Sequence, residues 1–200
     1  MATSHPKGLA TRHRLAESML SLIQRQGYHG TGLNSVLEES EVPKGSLYFH
    51  FPEGKAELGV AAVQLAASQF NDLLSQAVAT GKSEAAVDGL VSALQDILVS
   101  SDYQAGCPVS VVALDAGAEN FELRDACREA YKGWVTGVAG VLESLDLEES
   151  QAGALATSVV SMIEGALILC RTYQSTQPLD AAAATIKLLL STSHGAKETR

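Results

Sequence analysis

The sequence predicts an all-α fold, with a small N-terminal head followed by a larger helical body. Apolar residues recur along the chain at spacings of three and four, whereas no stretch shows the strict alternation of a half-buried strand. Hydrophobic residues make up 46% of the chain but aromatic residues only 5%, and this composition of mainly Ala, Leu and Val suits closely packed helices. With 200 residues, the chain can form a head of about fifty residues and a body with a sizeable core.

The first three predicted helices are one amphipathic helix and two short ones. Residues 12–26 form the amphipathic helix, and Gly27 ends it because a left-handed C-cap favours glycine. Its apolar stripe consists of Leu15, Met19, Leu22 and Ile23. A second helix of barely two turns follows from Leu33 to Ser40. Pro43 suits the first position of a third helix, which extends to His50.

The remaining predicted helices are mostly longer. The fourth begins after Gly54, which can serve as its N-cap with Glu57 three residues later, and it extends to about Ala79. Pro108 and Asn120 are start signals for the sixth and seventh helices. The five helices of the body are predicted at about 83–98, 108–118, 121–145, 149–174 and 179–192. From residue 193 onward we expect a frayed tail.

The net charge of −9 disfavours a nucleic-acid partner only when it is averaged over the whole chain. Residues 1–60 contain six basic and six acidic residues, so the whole acidic excess lies beyond residue 60. Four of the five histidines also lie within the first fifty residues. The head can therefore present a neutral to positive face to DNA, while the body repels phosphate.

The sequence shows no sign of secretion, membrane insertion or metal binding. The N-terminus is polar and no run of eighteen uncharged apolar residues occurs, so we expect a cytoplasmic protein without a membrane partner. Cys107, Cys127 and Cys170 are an odd number of cysteines without close metal-ligand spacing, and we expect reduced thiols. We expect neither a metal nor another cofactor.

Residues 33–50 have the plan of a helix-turn-helix, two short helices across a tight turn that a preceding amphipathic helix can brace. In the second of these helices, Leu47 and Phe51 share one face at a spacing of four. The other faces carry hydrogen-bond donors, which suit phosphates and base edges: Lys44, Ser46, Tyr48 and His50. The spacing alone does not establish DNA binding, because many short helical pairs bind no DNA.

The residues of this region resemble the TetR family of bacterial repressors, and within it the LmrA/YxaF branch. The resemblance is strong over residues 11–60 and includes Gly27-Tyr28, Thr31-Gly32-Leu33-Asn34, Val42 to Phe51, Pro52-Glu53-Gly54-Lys55 and Leu58. A weaker resemblance in the body covers Cys107-Pro108-Val109 and Leu123 to Cys127. It implies a helix-turn-helix DNA-binding domain at 9–56 and a helical ligand-binding and dimerisation domain at 57–192, before a tail at 193–200.

The resemblance also implies roles for individual residues. Thr31 and Lys44 would meet phosphates, and Gly45 would let the helix approach the groove closely. Ser46 would lie nearest the base edges. The backbone of the DNA would be held by Tyr48, His50 and Lys55.

One departure from the family pattern lies in the turn, where Glu41 stands at a position that usually holds glycine. If this position needs a positive φ, Glu costs roughly 1 kcal/mol, and its charge is unfavourable near DNA. We therefore expect selectivity at the expense of affinity.

Each proposed contact also has a purely structural alternative. Tyr48 can be a half-buried core aromatic, His50 can cap the third helix, and Lys55 can be a solvated surface charge. Together these alternatives weaken, because a structural helix pair has no reason to bring five phosphate-compatible donors together.

The resemblance implies that the body encloses an effector cavity and forms a homodimer through its last two helices. For an apolar effector we name nine residues, each of which can equally belong to the core: Phe70, Leu74, Leu94, Leu98, Cys107, Val111, Leu114, Tyr131 and Trp134. The predicted dimer interface consists of Val159, Met162, Ile163, Gly165, Ala166, Leu167, Cys170, Ile186, Leu189 and Leu190.

The implied function is a repressor that a small molecule releases from a palindromic DNA operator. One alternative is a redox-sensing regulator that uses Cys107 or Cys127 as its switch. A thiol hydrolase using the same cysteines is disfavoured, because His194 is the only histidine of the body and no catalytic set is evident.

Overall fold

The computed structural model describes residues 6–79, 83–116, 118–143 and 147–195. These residues form helices and no strand, which confirms the all-α prediction. The helices are α1 (Pro6–Gly30), α2 (Leu33–Ser40), α3 (Lys44–His50), α4 (Lys55–Val78), α5 (Ser83–Ser100), α6 (Pro108–Asp115), α7 (Phe121–Glu143), α8 (Glu149–Tyr173) and α9 (Gln177–Gly195).

Most helix boundaries follow from local start and stop signals. Asn120 caps α7 as expected, because its Oδ1 accepts a hydrogen bond from the Leu123 N–H at 3.0 Å. The backbone at Gly27 leaves the helical conformation with a φ of 79°, as its glycine suggested, and one further turn extends α1 to Gly30. Gly54 also has a positive φ, of 68°, and its carbonyl accepts the Leu58 N–H at the start of α4.

Three boundaries differ from the sequence prediction. α1 begins at Pro6 and not at residue 12, and α6 ends at Asp115 instead of about residue 118. α9 begins at Gln177, because the proline that follows is compatible with a first helical turn and does not separate the helices. Of the predicted tail, residues 193–195 belong to α9 and residues 196–200 lie outside the described residues, as does most of the loop predicted around residues 80–83.

The chain packs as two compact units that share α4 and α7. Unit 1 contains α1, α2, α3, α6 and the first parts of α4 and α7, up to residues 68 and 130. α1 packs against α2, α3 and α6. The fully buried core of this unit includes Leu15, Met19, Ile23, Leu47 and Phe51.

Unit 2 contains α5, α8, α9 and the remaining parts of α4 and α7. α9 packs against both α5 and α8. The rings of Phe70 and Tyr131 both contact Trp134, with centroids 4.5 and 5.2 Å away. Unit 1 thus contains both the helix-turn-helix and α6. The domain boundary predicted between residues 56 and 57 stays a prediction.

α8 is long and apolar enough to cross a membrane by length and composition. Core helices of water-soluble proteins pass the same test. In this protein α8 packs on α9 and buries eight residues, so the criterion alone does not indicate a membrane span.

Candidate nucleic-acid interface

The helix-turn-helix consists of α2, the turn at residues 41–43, and α3. Val36, Leu47 and Phe51 are fully buried and hold the two helices on the rest of unit 1. α1 supports the end of α3, because the Arg12 guanidinium donates to the His50 carbonyl at 3.3 Å and lies 4.4 Å from the centroid of the Phe51 ring. The second helix of the motif is therefore held from one side and free on the other.

The turn requires the left-handed backbone that the sequence analysis anticipated. Glu41 has a φ of 53° and a ψ of 30°, and its N–H donates to the Glu38 carbonyl at 3.4 Å. This conformation costs about 1 kcal/mol or more in a residue with a Cβ atom. The side chain of Glu41 is exposed, so its charge belongs to the surface of the motif.

The exposed face of α3 is formed by residues 44, 45, 48 and 49, which we call the α3 face. Lys44 and Gly45 occupy the first turn, and no atom lies within 4 Å of a Cβ built on Gly45. Tyr48 is 47% exposed and Phe49 is 80% exposed. The α3 face thus combines an ammonium group, a phenol and a phenyl ring around a glycine that allows close approach.

Two other predicted contact residues of α3 lie at the edge of this face. Ser46 and His50 are half-buried, so they are less accessible than Tyr48 and Phe49. The Ser46 N–H donates to the Pro43 carbonyl at 2.9 Å at the start of the helix. The ring of His50 makes an edge contact with the ring of Phe49, with centroids 5.0 Å apart.

Thr31 does not present its hydroxyl at the surface. Its side chain is fully buried, and its Oγ1 donates to the Gly27 carbonyl at 2.7 Å. Its N–H donates to the Tyr28 carbonyl at 3.1 Å. In the structure Thr31 therefore closes the turn between α1 and α2, which corrects the expectation of a hydroxyl free to meet a phosphate.

Lys55 lies at the start of α4 and contacts the end of α1. Its Nζ is 4.5 Å from the centroid of the Tyr28 ring and donates to the His29 carbonyl at 3.4 Å. Burial lowers the pKa of Lys55, and the charge of Asp115 acts in the opposite direction. The lysine is thus held close to the helix-turn-helix, at a helix N-terminus that favours anions.

Asp115 joins the end of α6 to the end of α1. Its Oδ2 accepts the His29 N–H at 2.8 Å, and its backbone carbonyl lies 3.0 Å from His29 Nε2. Glu119 Oε2 lies 3.8 Å from the same ring nitrogen. A Cβ built on Gly27 would lie 3.2 Å from Asp115 Oδ2, so the glycine leaves room for this contact. Asp115 was not among the predicted site residues, because no local pattern indicates a contact across 86 residues.

Phe49 was also missed as a surface residue, although the sequence contains a signal for it. Phe49 lies four residues after Gly45 and two after the buried Leu47. A helix that buries Leu47 and Phe51 must turn residue 49 toward solvent.

Only one of the nine residues predicted to bind an effector lines the cavity that the described residues of unit 2 enclose. Unit 2 contains an apolar cavity of about 60 Å³, to which Leu74 alone of the nine contributes. Its lining consists of Leu74, Val78, Ala86, Val87, Leu90, Val138, Val141, Leu142, Val159, Ile186 and Leu190. Leu94, Leu98 and Trp134 are buried, and Phe70 and Tyr131 are half-buried beside Trp134.

The other three residues of that set belong to unit 1. Cys107 and Val111 are half-buried there. Leu114 is 82% exposed near the end of α6, which is opposite to the environment of a pocket residue.

The predicted dimer stripe lies largely inside the protomer. Its buried members are Val159, Ile163, Ala166, Leu167, Cys170, Ile186 and Leu190. Met162 and Leu189 are half-buried, and Gly165 is exposed with no atom within 4 Å of a Cβ built on it. Among the residues of these two helices whose burial is described, the large apolar side chains that remain exposed are Ile168, Leu169, Tyr173 and Leu188. The stripe is therefore mainly the face that holds α8 and α9 in unit 2.

The thiols do not favour the redox alternative. Burial raises the pKa of Cys127 to about 11, and its Sγ lies 3.6 Å from the Val109 carbonyl. Burial also raises the pKa of Cys170, which is fully buried. Buried thiols with raised pKa values are poor nucleophiles, and only Cys107 of the three is half-buried.

Comparison with protein families gives two separate matches. Residues 18–62 match the family described as bacterial regulatory proteins, tetR family. Residues 83–185 match the C-terminal domain of LmrA/YxaF-like transcriptional regulators. The first match contains the whole helix-turn-helix and Lys55, and the second covers more than half of the chain.

Individual relatives agree with this assignment. The HTH-type transcriptional regulator LmrA of Bacillus subtilis is 35% identical over 176 residues, covering 84% of this chain and 90% of the relative. The uncharacterised regulator Rv0196 of Mycobacterium tuberculosis is 30% identical, covering 90% of this chain and 93% of the relative. A TetR regulatory protein from Rhodobacter sphaeroides shares the fold, with a TM-score of 0.77 at 23% identity over 88% of this chain and 96% of its own.

These relatives are named as transcriptional regulators, which is consistent with a non-enzymatic protein. The chain belongs to the TetR family of bacterial regulatory proteins, in its LmrA/YxaF-like branch, and is a ligand-responsive DNA-binding transcriptional regulator.

Proposed function

We propose that this protein acts in the cytoplasm as a homodimeric repressor, and that each protomer places the α3 face in the major groove of a palindromic operator. The observation that carries this proposal is the polarity of α3. Leu47 is fully buried, whereas Lys44, Gly45, Tyr48 and Phe49 are exposed together. A recognition helix must expose such a face to reach base edges.

The groups around α3 suit the sugar-phosphate backbone. Lys44 and Tyr48 flank the open space at Gly45, where the helix backbone can approach DNA closely. Lys55 adds a positive charge at the N-terminus of α4, and His50 lies at the end of α3. Such contacts fix register and orientation, while groups on the α3 face read the bases.

The proposed dimer forms through the exposed apolar residues of α8 and α9. Ile168, Leu169 and Tyr173 follow Gly165 along α8, and Leu188 is exposed on α9. The open space at Gly165 permits close approach of a partner helix. A two-fold axis between protomers matches a palindrome with half-sites about one helical turn apart, roughly 34–36 Å, or a multiple of it.

The proposed effector is a small apolar molecule that binds in unit 2. The cavity there is lined only by aliphatic side chains, so its lining side chains offer no charged group that could bind a polar ligand. α4 begins beside the helix-turn-helix in unit 1 and contributes Leu74 and Val78 to the cavity wall. A shift of α4 on effector binding would therefore move the start of the same helix. This movement would change the distance between the two recognition helices of the dimer.

Linkage sets the size of the effect. An effector that binds the form unable to bind DNA about a hundredfold more tightly lowers operator affinity by roughly 2.7 kcal/mol. Binding to the operator then corresponds to repression, and release by the effector corresponds to induction. The name of the 26% identical relative NemR from Escherichia coli, a transcriptional repressor, supports this sense of regulation.

The test begins with selection of duplexes from a random pool by the full-length protein. We expect a palindromic site, one dimer bound per duplex, and loss of binding in Tyr48→Ala. Lys132→Ala replaces an exposed lysine of unit 2 and is the matched control with unchanged affinity. Failure to enrich any duplex, or wild-type affinity in Tyr48→Ala, would contradict the proposal.

Dimerisation and effector binding have separate tests. Gly165→Arg should give a monomer in sedimentation experiments at micromolar concentration. Ala86→Leu adds a side chain to the cavity wall, and we expect weakened release from DNA by an inducer found in a screen of apolar compounds. Ala85→Leu is the control, because Ala85 is half-buried but does not line the cavity.

A further inference from the structure

Phe49 is the most exposed aromatic side chain of the α3 face, and it offers the operator neither a donor nor an acceptor. Its side chain, near the end of α3, is 80% exposed, whereas the side chains of Leu47 and Phe51 are fully buried. We propose that the ring of Phe49 packs against the 5-methyl group of a thymine in each half-site and makes the protein select thymine there. This inference rests on the proposed docking of α3 in the major groove.

The chemistry of the groove limits what a phenyl ring can recognise. Guanine, adenine and cytosine present only hydrogen-bonding groups at their major-groove edges, whereas thymine adds a methyl group. A phenyl ring placed against those polar groups would displace water without replacing its hydrogen bonds. Contact with the methyl group instead removes apolar surface from water on both partners.

Two neighbours place the ring in a suitable position. Gly45 lies one helical turn before Phe49, and the absence of a side chain there leaves open space next to the ring. The His50 ring meets the Phe49 ring at an angle of 82°, with centroids 5.0 Å apart. This edge contact restricts the phenyl ring at an exposed position, so less side-chain entropy is lost on binding.

The fold itself does not require this ring. A side chain that is 80% exposed contributes little buried area, and Leu47 and Phe51 already form the buried side of α3. A large apolar group on the proposed DNA-binding surface is then accounted for by what it meets in the complex.

The experiment uses the duplex selected by the full-length protein and replaces each thymine in turn by deoxyuridine, which lacks only the methyl group. Wild-type protein should lose about fourfold in affinity at one position per half-site, because burial of one methyl group corresponds to a factor of that size. Replacement in both half-sites should cost roughly fifteenfold.

Variants assign the effect to the ring. Phe49→Ala should bind the thymine and deoxyuridine duplexes equally, at the affinity of the wild type for the deoxyuridine duplex. Leu114→Ala removes an apolar side chain that is 82% exposed on α6, and it should retain the wild-type preference.

Three results would overturn this inference while leaving the proposed function intact: a half-site without thymine, wild-type binding indifferent to deoxyuridine, or an unchanged thymine preference in Phe49→Ala. If no duplex is enriched, or Tyr48→Ala binds as the wild type does, the proposed function itself fails and this inference with it.

Discussion

The helix-turn-helix and unit 2 offer two contrasting kinds of binding surface. The α3 face is convex, and its exposed groups come from one helix of seven residues. The cavity of unit 2 is concave, and its aliphatic walls come from α4, α5, α7, α8 and α9. One surface therefore depends on how a single helix is held, and the other depends on how five helices pack.

This difference has a consequence for substitutions. In the helix-turn-helix, loss of one anchoring residue should release the whole recognition surface. In unit 2 the same loss should only enlarge a space that already exists.

The largest effect is expected for Leu47→Ala. This residue is fully buried and anchors α3, so its truncation should destabilise the protein by about 2–5 kcal/mol and weaken DNA binding with it. Urea denaturation and binding to the selected duplex measure both effects. Phe49→Ala is the control on the same helix, with a change in stability within about 0.5 kcal/mol.

Leu90→Ala is the counterpart in unit 2. Leu90 lines the cavity, so part of its surface already lacks neighbouring atoms, and we expect a loss near the lower limit of about 2 kcal/mol. A greater loss for Leu90→Ala than for Leu47→Ala would contradict the contrast between the two regions.

The second effect is a pH dependence from Cys127 in unit 1. Burial raises its pKa from 9.0 to about 11, so the unfolded chain loses this proton at lower pH than the folded protein. Its contribution to stability is complete below pH 9 and is lost as the pH rises to about 11. The expected slope is about 1.4 kcal/mol per pH unit.

Comparison of wild type with Cys127→Ala isolates this contribution from other groups that titrate in alkali. Denaturation curves should show a steeper loss of stability for the wild type between pH 9 and 11. Equal slopes would mean that water reaches the thiol in the folded protein. Such a result would also revive Cys127 as a redox switch.

The same contrast explains what the sequence could and could not predict. α2, α3, the left-handed turn at Glu41 and the Asn120 cap each depend on residues a few positions apart, and the structure confirms them. The apolar periodicity also predicted the position of α8 correctly. It could not distinguish the face that packs on α9 from the face left open at Ile168 and Leu169, because both are aliphatic.

The prediction of pocket residues, which stays a prediction, meets the same limit. Lone aromatic residues and a thiol suggested a binding site, but Phe70 and Tyr131 pack on Trp134, and Cys107 belongs to unit 1. The cavity is instead lined by residues of ordinary helical stripes, such as Leu90 and Val138. Which stripe leaves a void depends on the packing of distant helices, and no local pattern encodes it.

The third effect concerns Lys55. Lys55→Ala should reduce operator affinity about tenfold per protomer. It should also reduce the steepness of log affinity against log salt concentration by about 0.9 for each half-site, because the loss of one phosphate contact means that fewer counterions are released on binding. Titrations of the selected duplex at several salt concentrations measure this slope. Lys187→Ala removes a lysine that pairs with Asp88 in unit 2, and its salt slope should equal that of the wild type.

An unchanged slope in Lys55→Ala would show that this lysine acts within the protein only. Its contacts with the Tyr28 ring and the His29 carbonyl would then be its whole role, and the variant would lose stability instead of DNA affinity.

The smallest effect is expected at two helix ends that share one backbone conformation. Glu41 ends α2 with a φ of 53°, and Gln174 ends α8 with a φ of 49°. Glycine relieves a strain of about 1–2 kcal/mol at such a position and loses about 0.5–1 kcal/mol through the greater freedom of the unfolded chain. Glu41→Gly and Gln174→Gly should therefore each stabilise the protein by about 0.5–1 kcal/mol.

Only one of the two substitutions should affect DNA. Glu41 is exposed in the turn before α3, so its removal takes a negative charge away from the phosphates, and operator affinity should rise by a few-fold at low salt. Gln174 is uncharged and lies in unit 2, so Gln174→Gly should gain stability without a change in affinity. If both variants bind DNA as the wild type does, the Glu41 carboxylate lies beyond the reach of the duplex, and the left-handed turn matters for folding alone.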